Sequence, residues 1–194
     1  YDEPYIARTG VTIINPRGGK IWHDFAFAGF HSLNGCGEMT GVHWINEAGL
    51  LTTPIAITNT YDVGIAHHAL VRYGIEKELM GIFTLPVAAE TYDGWLNDPR
   101  AKITEENVWS ALESASGGVV AEGCVGGGTG MTCHEFKGGI GTSSRIVQTK
   151  SGTFTVGALV QSNYGARELF RVDGVPVGRE IGFDNVPSSR ALPS

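Results

Sequence analysis

The chain has 194 residues, 42% of them hydrophobic, enough to bury the core of a single domain. Its 14 Lys and Arg against 20 Asp and Glu give a formal charge of −6 with no basic run, which excludes a phosphate-neutralising surface and hence a nucleic-acid partner. No stretch reaches the roughly 18 consecutive apolar residues of a membrane span, and three cysteines (Cys36, Cys124, Cys133) without C-x-x-C spacing fit neither a disulfide framework nor a zinc site.

The first residues, Tyr1-Asp2-Glu3-Pro4, carry no charged-then-apolar leader. They also lack a Met, so a removed leader would leave no trace and the compartment, cytoplasmic or periplasmic, stays open. Gly10 to Asn15 has the β-branched composition of a strand. Leu33 to Gly41 follows as a glycine-rich shaped turn, because Cys, Met, Thr and Glu interrupt it.

Thr53 to Thr58 reads as a second strand. From about Asp62 to Met80, Ile65, Ala66, Ala69, Leu70 and Tyr73 recur at helical spacing, with Gly64 and Gly74 as the weak points. Phe83 to Ala89 is a third strand, and Glu90-Thr91-Tyr92-Asp93-Gly94 closes it. Thr104 offers an N-cap hydroxyl to a helix opening on Glu105 and Glu106, with Val108, Ala111, Leu112 and Ala115 on one face and Gly117-Gly118 as its stop.

A second glycine cluster, Gly123 to Gly130, precedes a fourth strand, Phe154 to Gln161, which ends in Ser162-Asn163-Tyr164-Gly165. The apolar residues of these strands run together, as in strands covered on both faces, so the class is α/β with buried sheets. After Val177 the chain turns polar and aperiodic. The division expected is one α/β domain over 1–178 and a polar arm over 179–194, continuing elsewhere.

A hydrolase needs a nucleophile, a base and oxyanion donors. No serine here sits in a G-x-S-x-G elbow or beside a His or Lys at a recognisable spacing. The histidines, His23, His31, His43, His67, His68 and His134, are scattered, which disfavours a metal. The cysteines read as buried free thiols, with a Cys nucleophile as the minor alternative because Cys36 and Cys124 lie in glycine-rich turns.

Gly126 to Gly130 offers backbone amides to an anion, yet it lacks the Lys-Ser/Thr of a phosphate loop. Lys137 is either a buried amine base or a structural lysine. The clusters at Glu90–Gly94 and Gln161–Gly165 both lie beyond strand ends, where α/β sheets bind ligands. A carboxylate there holds an ammonium and a Tyr or Asn donates to an oxyanion; ordinary turn chemistry is the competing reading.

Six segments in order resemble the DmpA-type aminopeptidase family, which includes the β-peptidyl aminopeptidases. They are Leu33–Gly41, Pro54–Thr60, Val87–Gly94 with Leu96–Asp98, Val125–Met131, Phe136–Arg145 and Val160–Gly165. The resemblance runs from Arg8 to Gly178. It implies a precursor that cuts itself once, this chain being the α subunit whose arm 179–194 leads to the autocleavage site, and a new N-terminal Ser on a β subunit being the nucleophile, with its own α-amine as base.

It further implies a four-layer αββα sandwich completed by that second chain, similar to N-terminal-nucleophile (Ntn) hydrolases, in a tetramer of αβ heterodimers. Glu90 would bind the ammonium of a short peptide or amino-acid amide, Tyr92 and Asn163 would face the oxyanion, and Trp95 and Asn34 would lie by the pocket. No cofactor or metal is implied. The related ornithine acetyltransferases offer a second activity, acyl transfer from a Thr nucleophile, and a non-catalytic scaffold of the same fold is the third possibility.

Overall fold

The computed structural model describes residues 5–81 and 83–190. Tyr1 to Pro4 and Ala191 to Ser194, on which the leader and the end of the polar arm were read, lie outside the described residues. In chain order the elements are β1 (Thr12–Ile14), β2 (Ala26–Phe27), α1 (Val42–Ala48), β3 (Leu50–Leu51), β4 (Ile55–Asn59), α2 (Val63–Glu76), β5 (Val87–Thr91) and α3 (Glu105–Ser114). They continue with β6 (Thr132–Cys133), β7 (Phe136–Lys137), β8 (Gly139–Thr149), β9 (Gly152–Ser162) and α4 (Val177–Glu180).

The central sheet has the order β1-β4-β5. β1 runs antiparallel to β4, and β4 runs parallel to β5 with Thr58 opposite Glu90. Parallel neighbours require a crossover, which α2 supplies. Asn59 starts that helix by accepting the Tyr61 and Asp62 N–H groups on its Oδ1, at 2.9 and 3.1 Å.

Helix α2 buries Val63, Ala66, Ala69, Leu70 and Gly74. This face joins Val11, Ala56, Ala88, Ile103, Val108 and Leu112 in one core cluster, with Ile65 and Tyr73 partly buried against it. Gly74 therefore serves packing: a Cβ on it would lie 2.9 Å from Trp22 Cζ3, so the helix needs a glycine there. α2 ends at Glu76 and not near Met80, because Glu78 takes a left-handed φ of 53° and the Leu79 and Met80 N–H groups turn back to the Gly74 carbonyl.

Helix α3 opens with the Thr104 cap, in a capping box whose return partner is Asn107. It stops at Ser114, ahead of the Gly117-Gly118 pair, and Trp109 Nε1 donates to the Ala69 carbonyl at 3.0 Å to lock it on α2. A second cluster of Ile21, Trp22, Ile45, Leu51 and Val87 lies under the first glycine-rich turn.

The strand read at Phe83 to Ala89 forms four residues later, from Val87 to Thr91, and so carries Glu90 inside the ladder. The strand at Phe154 to Gln161 is half of a hairpin of two 11-residue strands, β8 and β9. Much of this ribbon is exposed, including Ile146, Val147, Phe154, Val156 and Val160, where the sequence suggested burial on both faces. Cys36 and Cys124 are exposed and Cys133 is half-buried, so the expectation of buried thiols fails; all three are free. Cys36 and Cys124 sit in bends that run over the surface, and Cys133 ends the short strand β6.

The polar segment after Val177 is held in place over its described part. It forms α4, and its later backbone is bonded to the β6–β7 turn: Ser189 N–H donates to the Glu135 carbonyl at 2.9 Å. Among the described residues no helix is long and apolar enough to cross a membrane.

Candidate active site

The carboxyl ends of β4 and β5 meet the end of β9. Gln161 Nε2 donates to Thr91 Oγ1 at 2.5 Å, so the segment leading to Asn163 is fastened to the strand that carries Glu90. Ser162 Oγ both accepts from Gly139 N–H (3.2 Å) and donates to the Gly139 carbonyl (3.1 Å), fixing the last pair of the β8–β9 ladder.

Glu90 is half-buried. Its Oε1 accepts the Glu38 N–H at 3.0 Å and its Oε2 accepts the Thr60 hydroxyl. The first glycine-rich turn is thus the wall of the carboxylate: a Cβ on Gly37 would come within 3.4 Å of Glu90 Oε1. Among the described residues no Lys or Arg forms an ion pair with Glu90. A carboxylate with two neutral donors and no cation keeps its negative charge uncompensated by any neighbouring Lys or Arg.

Alternation along the extended chain puts Tyr92 on the Glu90 side of β5 and Thr91 on the other. The Tyr92 ring stands edge-on to Tyr61 (6.4 Å between centroids) and Trp95 (6.1 Å). Burial, then the neighbouring Tyr61 and Asp93, hold its phenol above its ordinary value, so at neutral pH it is an O–H donor. Gly94 has to be glycine, because a Cβ there would run into the Tyr92 ring.

Asp93 points into the protein and is 1% exposed, with Oδ2 lacking a hydrogen-bond partner. Burial pushes its carboxyl up to about 6; Thr9 opposes this, nearby Asp62 adds to it, and Asn97 opposes it. Asn163 is half-buried just past β9. The next residue is gripped from below, since Tyr164 offers its carbonyl to His134 N–H at 2.6 Å and its ring lies 5.1 Å from the imidazole.

Trp95 is partly exposed beside Tyr92, and the Arg190 guanidinium lies 5.6 Å from its ring centre. Asn34 is different. It is exposed and its Oδ1 accepts Cys36 N–H at 2.8 Å, so it shapes the turn, while the contact to Glu90 comes from Glu38. The Gly126 turn is no anion cradle: Gly127 N–H donates to Thr12 Oγ1 (3.0 Å) and Gly128 N–H to the Val125 carbonyl (2.9 Å). Its glycines are needed for close packing, a Cβ on Gly127 falling 2.7 Å from the Ile57 carbonyl.

Lys137 donates to the Gly128, Met131 and Gly138 carbonyls at 3.3, 3.0 and 3.0 Å, the arrangement of a structural lysine. Among the described residues no group of three His, Cys, Asp or Glu side chains is placed to hold a metal. Sequence reasoning missed Thr60 and the Glu38 amide as partners of Glu90; only the Pro54–Thr60 and Leu33–Gly41 segments of the resemblance pointed at them.

The fold is a mixed α/β architecture similar to that of Ntn-hydrolase-like aminopeptidases. The solved "l-aminopeptidase d-ala-esterase/amidase" of Ochrobactrum anthropi, described as a new variant of the Ntn hydrolase fold, superposes with a TM-score of 0.75 at 40% identity, over 93% of this chain and 47% of that one. Residues 2–189 match Peptidase family S58, and the chain belongs to that family.

A β-aminopeptidase from Burkholderia sp. is more similar still, with a TM-score of 0.88 at 53% identity over 96% of this chain and 54% of that one. The β-peptidyl aminopeptidase BapA of Sphingosinicella microcystinivorans is 45% identical over 184 residues, which are 94% of this chain and 46% of that protein. The chain thus spans about half the length of the relatives it matches.

Proposed function

We propose that this chain is the α subunit of a self-processing serine aminopeptidase that removes N-terminal residues, β-amino or D-amino acids among them, from short peptides, amides and esters. The nucleophile is the N-terminal Ser of a β subunit released from the same precursor, with its α-amine as base. The observation that carries this reading is Glu90: a carboxylate at the strand ends held by two neutral donors and by no cation among the described residues, in a chain of a peptidase family.

In this reading Glu90 anchors the free amine of the substrate and so limits cleavage to the first residue. Tyr92 and Asn163 donate to the oxyanion of the tetrahedral intermediate, Trp95 lines a side-chain subsite, and Asn34 supports the rim. The acyl-enzyme formed on Ser is released by water. The β subunit also covers the exposed β8–β9 ribbon, since a two-stranded hairpin with apolar side chains in water is marginal alone. Its strands complete a four-layer αββα sandwich, and αβ pairs assemble into a tetramer.

Intact mass and N-terminal sequencing of the protein made from the full-length gene test this. Two polypeptides, the second beginning with Ser, are expected. A single uncut chain would reject self-processing, and a partner beginning with Thr would move the activity to acyl transfer.

A further inference from the structure

Arg167 is 2% exposed; its backbone N–H donates to Glu135 Oε1 at 3.3 Å, while among the described residues its guanidinium forms no ion pair. Its guanidinium is instead shared among four backbone carbonyls. Nε donates to His134 (3.2 Å) and Nη2 to Glu135 (3.0 Å), while Nη1 donates to both Ile181 (3.2 Å) and Val186 (3.0 Å). The Phe136 and Phe183 rings flank it, with the guanidinium carbon 3.6 and 4.9 Å from their centres.

Two of those carbonyls belong to the turn between β6 and β7, and two to the segment after α4. The turn is a two-residue hairpin loop with φ of 49° at His134 and 62° at Glu135, positive at both positions as a type I′ turn requires, although neither is glycine. The same turn holds both neighbours: His134 N–H binds the Tyr164 carbonyl, beside Asn163, while the Glu135 carboxylate accepts Ser188 Oγ–H at 2.6 Å and its carbonyl accepts Ser189 N–H at 2.9 Å.

Past this anchor the chain reaches Arg190, whose Nη2 donates to the Gly165 carbonyl at 2.9 Å and whose guanidinium lies by Trp95. The last described residue is therefore led to the gap between the Tyr92–Trp95 pair and the Asn163–Gly165 loop. We infer that Arg167 is a positioning residue for maturation: through the His134–Glu135 turn it fixes segment 181–190 against the Asn163 loop, so that the peptide bond cut in the precursor is presented to the site.

Rigid placement of a scissile bond is worth orders of magnitude in an intramolecular reaction. No single-point donor replaces the guanidinium, since four acceptors lie around a planar fork. The inference rests on the self-processing reading above.

The test is the rate of cleavage of the full-length precursor, followed by gel and intact mass, for wild type, Arg167→Lys, Arg167→Ala and the exposed control Arg171→Ala. Arg167→Lys and Arg167→Ala should slow cleavage at least tenfold, Arg171→Ala should not, and added guanidinium should restore part of the rate to Arg167→Ala. Once matured, both Arg167 variants should keep KM within about threefold of wild type, because Glu90 and its donors Glu38 and Thr60 make no bond to Arg167.

Normal cleavage of both Arg167 variants beside a cut wild type would overturn the role of Arg167 alone. So would slowed cleavage without guanidinium rescue and with turnover and thermal stability lost in parallel, which is the signature of plain misfolding. A wild-type precursor that stays whole would overturn the self-processing reading itself.

Discussion

Gln161 and Thr91 are joined side chain to side chain at 2.5 Å, across 70 residues of sequence, and that bond fastens the end of β9 to the end of β5. Gln161 Nε2 also donates to the Thr58 carbonyl at 3.4 Å, an acceptor only, which sets the orientation of the amide, while Oε1 is buried without a partner and faces Gly127. Gln161→Leu should lower kcat more than it raises KM, because Asn163 loses its fixed register while Glu90 keeps its own donors. The variant should change stability by no more than about 1 kcal/mol, because Thr91 Oγ1 keeps its bond to Met131 Sδ at 2.8 Å and the buried, unpartnered Gln161 Oε1 is removed. Steady-state kinetics with thermal unfolding check both, and an unchanged kcat would disconnect Gln161 from the site.

Glu90→Gln keeps the shape of the side chain and removes its charge. KM for free-amine substrates should rise at least about tenfold, the loss of one charge-assisted bond. Asn163→Ala should instead lower kcat by about a hundredfold or more with little change in KM. Kinetics on one amino-acid amide separate the two: identical KM in Glu90→Gln would reject the ammonium site, and near-normal kcat in Asn163→Ala would reject the oxyanion role.

Asp93 makes stability depend on pH in a definite direction. Its folded value, about 6, lies above the 3.8 of a free Asp, so the native state binds the extra proton. Stability then falls as pH rises from about 4 to about 6 and levels off above that. Asp93→Asn removes the ionisation, and its stability relative to wild type should improve over this window by on the order of 2–3 kcal/mol. Denaturant unfolding of both proteins at pH 4 and pH 8 measures the difference. An identical difference at the two pH values would mean that Asp93 does not carry the shifted proton.

Gly74→Ala looks favourable by helix propensity, by about 1 kcal/mol. The site has no room for it, with Met80 Cγ at 2.5 Å and Trp22 Cζ3 at 2.9 Å from the added carbon. Overpacking should win and destabilise by about 1–3 kcal/mol. A variant with a melting temperature above wild type would show that Met80 and Trp22 move aside at little cost.

The sequence by itself carried the α/β class, the cap at Thr104, the buried face of α2 and the family, because helical period, capping chemistry and contiguous motifs are local signals. It also carried Glu90, Tyr92 and Asn163 as candidates, through their places at strand ends. What only the tertiary structure decided depends on residues far apart in the chain. The backbone contact to Glu90 comes from Glu38, while Asn34 holds the shape of the turn that delivers it. Gly126 to Gly128 became packing contacts because Thr12 takes the Gly127 N–H. The polar residues after Val177 have no period to announce a fixed place, yet a buried arginine ties their carbonyls to a turn far back in the chain, Arg167 bridging the Glu135 carbonyl to those of Ile181 and Val186. Backbone carbonyls are the same in every residue, so no side-chain pattern records which of them a guanidinium will bind.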